Sequence, residues 1–319
     1  MNALAISVIT GFLGSGKTTL LSRLLRDPAL ARTAVIVNEF GEVGLDHLLV
    51  EASDEEVVLL EGGCLCCKVR GDLVRTAGHL LARRARGDAA FDRIVIETTG
   101  LADPAPILQA LMTDREIAHA LRLESVIATV DCAAGDATLD AHPASVKQVA
   151  LADRLILTKT DLADSSALAE RLRRLNPAAP QFTALHGAVE ASRLFDGSTY
   201  DRTAFRNETH ADSGVTTFCL RRGRPLHAVT LSLFLQVLAE HCGAKLLRLK
   251  GLVDVLESPG RPALIHGVQH VFHPPAWLEA WPDDDRSTRI VVIAQGLDAE
   301  WLQDLLEVLD EEVEACSIS

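Results

Sequence analysis

Residues 11–18 place three glycines, a lysine and a threonine in the order G-x-x-x-x-G-K-S/T. The apolar run Ala5–Ile9 predicts a strand before this segment, and Thr19–Leu25 predicts an amphipathic helix after it. Glycines let such a loop turn sharply, so that its N–H groups and the helix N-terminus face anionic oxygens. A chance glycine-rich turn is a poor alternative here, and we expect the loop to bind a nucleoside triphosphate.

The residue types within this loop indicate separate roles. Lys17 is expected to neutralise the β- and γ-phosphates, and the Thr18 hydroxyl is expected to hold Mg²⁺. The predicted nucleotide contacts of the loop are Gly11, Gly14, Ser15, Gly16, Lys17, Thr18 and Thr19.

Two later segments follow predicted strands and extend the same site. Glu97 and Gly100 come after the strand Arg93–Ile96, where a phosphate-loop protein places an acid that steers Mg²⁺ and a glycine whose N–H senses the γ-phosphate. Thr158-Lys-Thr-Asp161 resembles the guanine-reading element N-K-x-D. Asp161 would accept hydrogen bonds from guanine, and the Lys159 stem would lie along the base. Thr158 stands where asparagine is usual, so one orienting contact is shortened or lost; an ordinary strand-to-helix loop is the alternative.

An acidic segment follows the strand Ala34–Val37, at the edge where ligand-binding loops of open α/β sheets gather. Glu39, Glu42 and Asp46 could face Mg²⁺, a second metal or the attacking water. For any one of them alone, a solvated turn is the better interpretation. The predicted catalytic set is therefore Lys17, Thr18, Glu39 and Glu97.

Three cysteines occur within four positions, at Cys64, Cys66 and Cys67, after two glycines. Two or three of their thiolates could reach one soft ion, and zinc needs about four ligands. The fourth would be Glu39, Glu42 or an exchangeable group. Buried packing and a redox pair are the alternatives, and the spacing favours metal binding. The isolated cysteines are interpreted as packing or surface thiols: Cys132, Cys219, Cys242 and Cys316.

The order of elements predicts an α/β fold, a mostly parallel, doubly wound phosphate-loop NTPase sheet with a smaller C-terminal α+β domain. We expect the nucleotide domain at 1–195, a polar linker at 196–214 and the second domain at 215–319. On a strand through Ala263–Val271, His266 and His270 would share a face and His273 would point away. Structural or surface histidines are a better interpretation than a second metal site.

Composition limits the classes of partner. The formal charge of −13 disfavours nucleic acid and anionic membrane surfaces, which require basic footprints. No apolar run reaches membrane-spanning length, and the first residues already form the predicted strand instead of a signal peptide. Seven cysteines, an odd number with a cluster, argue against a secreted disulfide framework. These features favour a cytoplasmic protein.

Taken together, these motifs resemble the CobW family of phosphate-loop GTPases, with Gly-Cys-x-Cys-Cys as the most specific element. Arg224-Pro225, Leu247–Gly251 and the His266–His273 run extend the resemblance into the second half. The resemblance implies a slow, Mg²⁺-dependent GTPase that loads Zn²⁺ or Co²⁺ and passes it to a client apo-protein. Some relatives carry a long histidine-rich metal reservoir, and this sequence has none.

Two other functions are compatible with parts of the sequence. A small-molecule kinase would need a basic lid, for which Arg83, Arg84 and Arg86 are the obvious run, although they resemble an exposed helix end. A metal- or redox-sensing switch would bind the ion without delivering it. The client and the oligomeric state, including a homo-oligomer, are open at this stage.

Overall fold

The computed structural model describes residues 3–39, 57–61, 66–195 and 209–318. The predicted site residues Glu42, Asp46 and Cys64 lie outside these ranges. The chain divides into two compact units, one of residues 1–171 and 179–199 and the other of residues 172–178 and 200–319. Within the described ranges, no helix is both long and apolar enough to cross a bilayer.

The first unit is built on a seven-stranded sheet in which every pair is parallel, in the order β3-β2-β4-β1-β5-β6-β7. Strands β1, β4 and β6 are almost wholly buried, as expected of a parallel sheet covered by helices on both faces, and the predicted doubly wound sheet is confirmed. The strands are β1 Leu4–Gly11, β2 Thr33–Glu39, β3 Val57–Glu61, β4 Arg93–Glu97, β5 Leu121–Asp131, β6 Arg154–Thr158 and β7 Gln181–Ala184.

The helices of this unit alternate with the strands. They are α1 Lys17–Leu24, α2 Cys66–Arg86, α3 Ala105–Thr113, α4 Gly135–Ala141, α5 Pro143–Leu151, α6 Ser166–Leu175 and α7 Ser192–Phe195. Leu20, Leu21 and Leu24 of α1 pack on Ile9 and Val95 of the sheet, which fixes the helix that follows the phosphate loop.

Helix α2 carries the arginines of the predicted kinase lid at its far end. It begins shortly after β3, at the carboxyl edge of the sheet, and spans 21 residues, or about 32 Å. Arg83, Arg84 and Arg86 therefore lie toward the opposite edge from the phosphate loop, where Arg84 donates to the Phe91 carbonyl and Arg86 pairs with Asp88. This position does not suit a lid over the phosphates.

The second unit is an antiparallel sheet with helices packed on one face, which confirms the predicted α+β class. The sheet order is β12-β11-β10-β14-β9-β8, and β13 pairs with β11. The elements are β8 His210–Asp212, β9 Val215–Arg222, α8 Ala228–Val237, β10 Leu246–Val253, β11 Ala263–Val268, β12 Val271–Phe272, β13 Ala276–Trp277, β14 Thr288–Ala294 and α9 Ala299–Ile318. Strand β8 lies within the range predicted as linker, and residues 196–208 of that range lie outside the described residues.

The predicted arrangement of the three neighbouring histidines is wrong. Strand β11 ends at Val268, and a turn with Gln269 at φ 52° reverses the chain into β12. His270 is therefore in an exposed turn and does not share a strand face with His266. The His273 N–H donates to the His266 carbonyl at 3.0 Å, so these two residues oppose each other across the hairpin.

Candidate nucleotide site

The loop between β1 and α1 has the backbone that its glycines permit. Gly11, Gly14 and Gly16 have φ angles of 139°, 72° and 90°, in the region that residues with side chains rarely adopt. Gly16 immediately precedes α1, so the free N–H groups of the first helical turn point out of the same loop. An anion placed here would meet both the loop amides and the helix N-terminus.

Lys17 and Thr18 occupy the first turn of α1. The Lys17 Nζ donates to the carbonyls of Gly11 and Phe12 at 3.0 and 3.1 Å, so its ammonium lies over the phosphate loop. The Thr18 Oγ1 donates to Glu97 Oε1 at 2.6 Å. Glu97 ends β4, which pairs with β1, and its side chain is buried. The hydroxyl and carboxylate are hard oxygen ligands of the kind that Mg²⁺ prefers, and they fit such an ion.

Gly100 lies against the phosphate loop. A Cβ at this position would come within 2.6 Å of the Leu13 backbone nitrogen, closer than real contacts allow. Only glycine permits this approach, so the segment after β4 and the phosphate loop are in direct contact. The predicted site residues Glu97 and Gly100 thus both lie beside the phosphate loop, and Thr98 and Thr99 separate them in the sequence.

A group of buried hydroxyls supports the phosphate loop. Ser15 Oγ and Thr129 Oγ1 are 2.6 Å apart, and Thr98 Oγ1 donates to Thr10 Oγ1 at 2.9 Å. Thr158 Oγ1 donates to the Ser15 carbonyl at 2.8 Å. Position 158 is therefore bonded to the phosphate loop, and the effect of threonine at this position on guanine binding stays a prediction. The sequence signal for this group is a threonine within two residues of the carboxyl end of each of four strands, β1, β4, β5 and β6.

The segment predicted to read guanine follows β6. Lys159 has φ 54°, and its Nζ lies 2.6 Å from Asp131 Oδ2 at the end of β5. This ion pair orients the Lys159 stem, and Asp131 was not predicted. Asp161 is exposed, as a group that must meet a ligand should be. Because Thr158 and Ala184 are paired, the exposed Leu185 leaves β7 beside Lys159 and offers apolar surface there.

The segments predicted to bind metal begin at the same edge of the sheet. Strands β2 and β3 pair in parallel with Glu39 opposite Glu61, and α2 begins at Cys66. The side chains of Glu39, Cys66 and Cys67 lie outside the described residues, as do Glu42 and Cys64 entirely. Within the described part of the chain, no group of three or more His, Cys, Asp or Glu side chains is arranged to hold a metal.

The four isolated cysteines, all within the described ranges, are not in disulfides. Cys132 and Cys242 are buried, Cys219 is partly buried and Cys316 is exposed. Burial raises the pKa of Cys219 to about 11 and raises the pKa of Cys132, the latter with a contribution from Asp131. A thiol with a raised pKa is a poor metal ligand at neutral pH, because the thiolate is the binding form. These cysteines are consistent with the packing role predicted for them.

The sheet, its phosphate loop and the acid that contacts Thr18 define a phosphate-loop nucleotide-binding protein. Residues 5–183 match the family model described as CobW/HypB/UreG, nucleotide-binding domain, and residues 215–309 match the cobalamin synthesis protein cobW C-terminal domain. The chain belongs to the CobW/HypB/UreG family.

Two bacterial zinc chaperones align with nearly the whole chain. The zinc chaperone YjiA of Escherichia coli is 33% identical over 309 residues, which cover 94% of this chain and 96% of YjiA. The zinc chaperone CobW of Pseudomonas aeruginosa is 34% identical, over 92% of this chain and 88% of its own length. The crystal structure of Zn(II)-bound YjiA GTPase from E. coli has a TM-score of 0.73 at 28% identity and covers 97% of this chain and 99% of that one.

Proposed function

We propose that the protein is a GTP-dependent zinc chaperone, which binds Zn²⁺ at Cys64, Cys66 and Cys67 and passes it to a client apo-protein when GTP is hydrolysed. The observation that supports this most strongly is the placement of the strand ends. The phosphate loop after β1, Glu39 at the end of β2 and the cysteine-bearing segment after β3 all leave one edge of one parallel sheet.

The hydrolytic step uses residues of the first unit. Lys17 and the loop amides hold the β- and γ-phosphates, and Asp161 selects guanine over adenine through the N1–H and 2-amino donors. Thr18 would bind Mg²⁺ and Glu97 would steer the ion from behind Thr18, and the ion would supply charge neutralisation on the phosphate oxygens. The Gly100 N–H contacts the γ-phosphate, and Glu39 orients the water that displaces GDP from phosphorus.

Zinc binding is coupled to this step through the neighbouring strand ends. The acidic segment after β2 supplies Glu39 or Glu42 as a further ligand, and the γ-phosphate holds both segments in the binding arrangement. Hydrolysis removes the γ-phosphate and lowers the affinity for the ion. A thiolate-rich site also accepts Co²⁺, so the ion in the cell follows availability as well as affinity.

The test is a chelator-competition measurement of Zn²⁺ and Co²⁺ affinity. Wild type and a Cys64→Ala/Cys66→Ala/Cys67→Ala variant are each measured with Mg²⁺ and a non-hydrolysable GTP analogue, the matching ATP analogue or GDP. We expect tight binding only for wild type with the GTP analogue. The matched control is Cys316→Ala, which removes an exposed thiol outside the cluster and is expected to bind as wild type.

Two results would contradict the proposal. If the triple variant binds Zn²⁺ as wild type does, the cysteines are not the site. Delivery is tested separately, by adding GTP to the zinc-loaded protein and following the ion into a chromophoric chelator during a single turnover. Zinc that stays bound after hydrolysis would indicate a sensing switch instead of a chaperone.

A further inference from the structure

Two adjacent side chains of helix α5 contact residues 100–103, which we call the Gly100 segment. The Gln148 Nε2 donates to the carbonyls of Gly100 and Ala102, both at 3.1 Å, and Gln148 is only 1% exposed. The Lys147 Nζ lies 2.7 Å from Asp103 Oδ2, in a partly exposed ion pair. These contacts attach residues 100–103 to the helix at three points, two of them backbone carbonyls and the third the Asp103 carboxylate.

The N-terminal end of the same helix contacts the phosphate loop. His142, which precedes α5, stacks on Phe12 with ring centroids 4.4 Å apart. Gly100 in turn lies against Leu13, with no room for a side chain between them. Helix α5, the phosphate loop and the Gly100 segment therefore contact one another pairwise. A movement of the Gly100 segment must change either its contact with Leu13 or its bonds to Gln148.

The helix itself is a firm support for these contacts. Val146, Val149 and Leu151 are buried in the first unit, and α5 contacts both β1 and β5. The side-chain amide of Gln148 thus makes two of the three attachments of the Gly100 segment, from a helix that is packed against the sheet. Since a primary amide carries two N–H donors, Gln148 can satisfy both carbonyls at once.

We infer that Gln148 is a positioning residue, which holds Gly100 against the phosphate loop and thereby sets the preference of the protein for a nucleoside triphosphate over a diphosphate. The inference rests on the proposed function, in which the Gly100 N–H contacts the γ-phosphate. GDP lacks that phosphate, so a displaced Gly100 weakens the binding of GTP and leaves the binding of GDP nearly unchanged.

The experiment compares Gln148→Leu with wild type. The substitution removes both donors and keeps an apolar side chain of similar length. Dissociation constants for a fluorescent non-hydrolysable GTP analogue and for fluorescent GDP are measured with Mg²⁺, below the melting temperature of each protein. We expect the analogue to bind about tenfold more weakly, as the loss of one to two hydrogen bonds implies, and GDP to change by less than about twofold.

The matched control is Gln181→Leu. The Gln181 Nε2 also donates to a backbone carbonyl, that of Ala169 at 3.0 Å, but it lies at the start of β7, away from the phosphate loop. Gln181→Leu is expected to lower the melting temperature and to leave the ratio of the two dissociation constants unchanged. If Gln148→Leu does not fold, Lys147→Met removes the partly exposed attachment and is expected to change the ratio about threefold in the same direction.

The outcomes separate this inference from the function on which it rests. If wild type prefers the GTP analogue and the folded position-148 or position-147 variant keeps that preference, Gln148 does not position Gly100 and the inference is wrong, while the proposed function stands. If wild type itself binds the analogue and GDP equally, the contact between the Gly100 N–H and the γ-phosphate in the proposed function is wrong, and the inference is wrong with it.

Discussion

At the scale of single residues, the account depends most on the contact between Thr18 and Glu97. Their 2.6 Å hydrogen bond joins the first turn of α1 to the end of β4 and places a carboxylate beside the phosphate loop. The spacing of the sequence motifs indicated both residues. Their mutual contact could not be derived from the sequence, because it depends on the pairing of β1 with β4, which are far apart along the chain.

Glu97→Gln tests that contact. Glutamine keeps an oxygen that accepts from the Thr18 hydroxyl but lacks the charge that attracts Mg²⁺. We expect the rate of GTP hydrolysis to fall by about 100-fold, which is typical for the loss of one stabilising group, and the Mg²⁺ concentration for half-maximal rate to rise. Phosphate release measured across a Mg²⁺ titration checks both changes.

The control for this substitution is Glu124→Gln. Glu124 is another buried carboxylate of the same unit, which accepts from Ser7 and pairs with Arg93 on β4. Its neutralisation is expected to lower stability without altering the Mg²⁺ requirement. A Glu97→Gln protein with the rate and the Mg²⁺ dependence of wild type would contradict the role assigned to Glu97.

At the scale of elements, hydrophobic patterning was sufficient for the long strands and helices. The apolar runs predicted β1, β2 and β4 because strands buried on both faces of a parallel sheet are nearly continuous hydrophobic runs. Patterning failed where tertiary pairing decides the structure. Strand β7 has only four residues, of which a single one is fully buried, and the reversal at Gln269 has no glycine or proline to mark it.

The candidate site likewise contains residues that the sequence predicts and residues that depend on tertiary contacts. Motif residues such as Lys17 and Thr18 were predictable because their chemistry and spacing occur together. Gln148 and Asp131 were not, since each acts through a partner distant in sequence. An amide among the apolar residues of α5 was the available signal for Gln148, because buried amides are usually hydrogen-bonded.

An ion pair holds the helices of the second unit to its sheet. Arg222 of β9 and Asp310 of α9 are both buried and paired, and Thr230 of α8 donates to the same carboxylate at 3.0 Å. Removing one partner leaves a buried charge without compensation. Asp310→Ala is therefore expected to lower the free energy of unfolding of this unit by about 3–5 kcal/mol.

Urea unfolding followed by tryptophan fluorescence measures this effect. The three tryptophans, Trp277, Trp281 and Trp301, all belong to the second unit, so the signal reports on that unit. Glu311→Ala, at the next and exposed position of α9, is the matched control and is expected to change stability by no more than about 0.5 kcal/mol. Equal stability of the two variants would show that the ion pair does not stabilise the unit.

At the scale of the whole molecule, the fold class and the family followed from the sequence because each motif sits after a strand of one parallel sheet. The domain limits at 195 and 215 remain a prediction. Residues 172–178 group with the second unit, and β8 begins within the predicted linker; neither feature has a local sequence signal. The proposed function depends on one claim about this architecture, that nucleotide and zinc bind with linked affinities.

The most direct test of that claim is a complete binding cycle measured by calorimetry with Mg²⁺. The affinity for a non-hydrolysable GTP analogue is determined with and without Zn²⁺, and the affinity for Zn²⁺ is determined with and without the analogue. Linkage requires the two ratios to be equal, and we expect each to be at least about tenfold. An affinity for Zn²⁺ that is the same with the analogue, with GDP and without nucleotide would contradict the account.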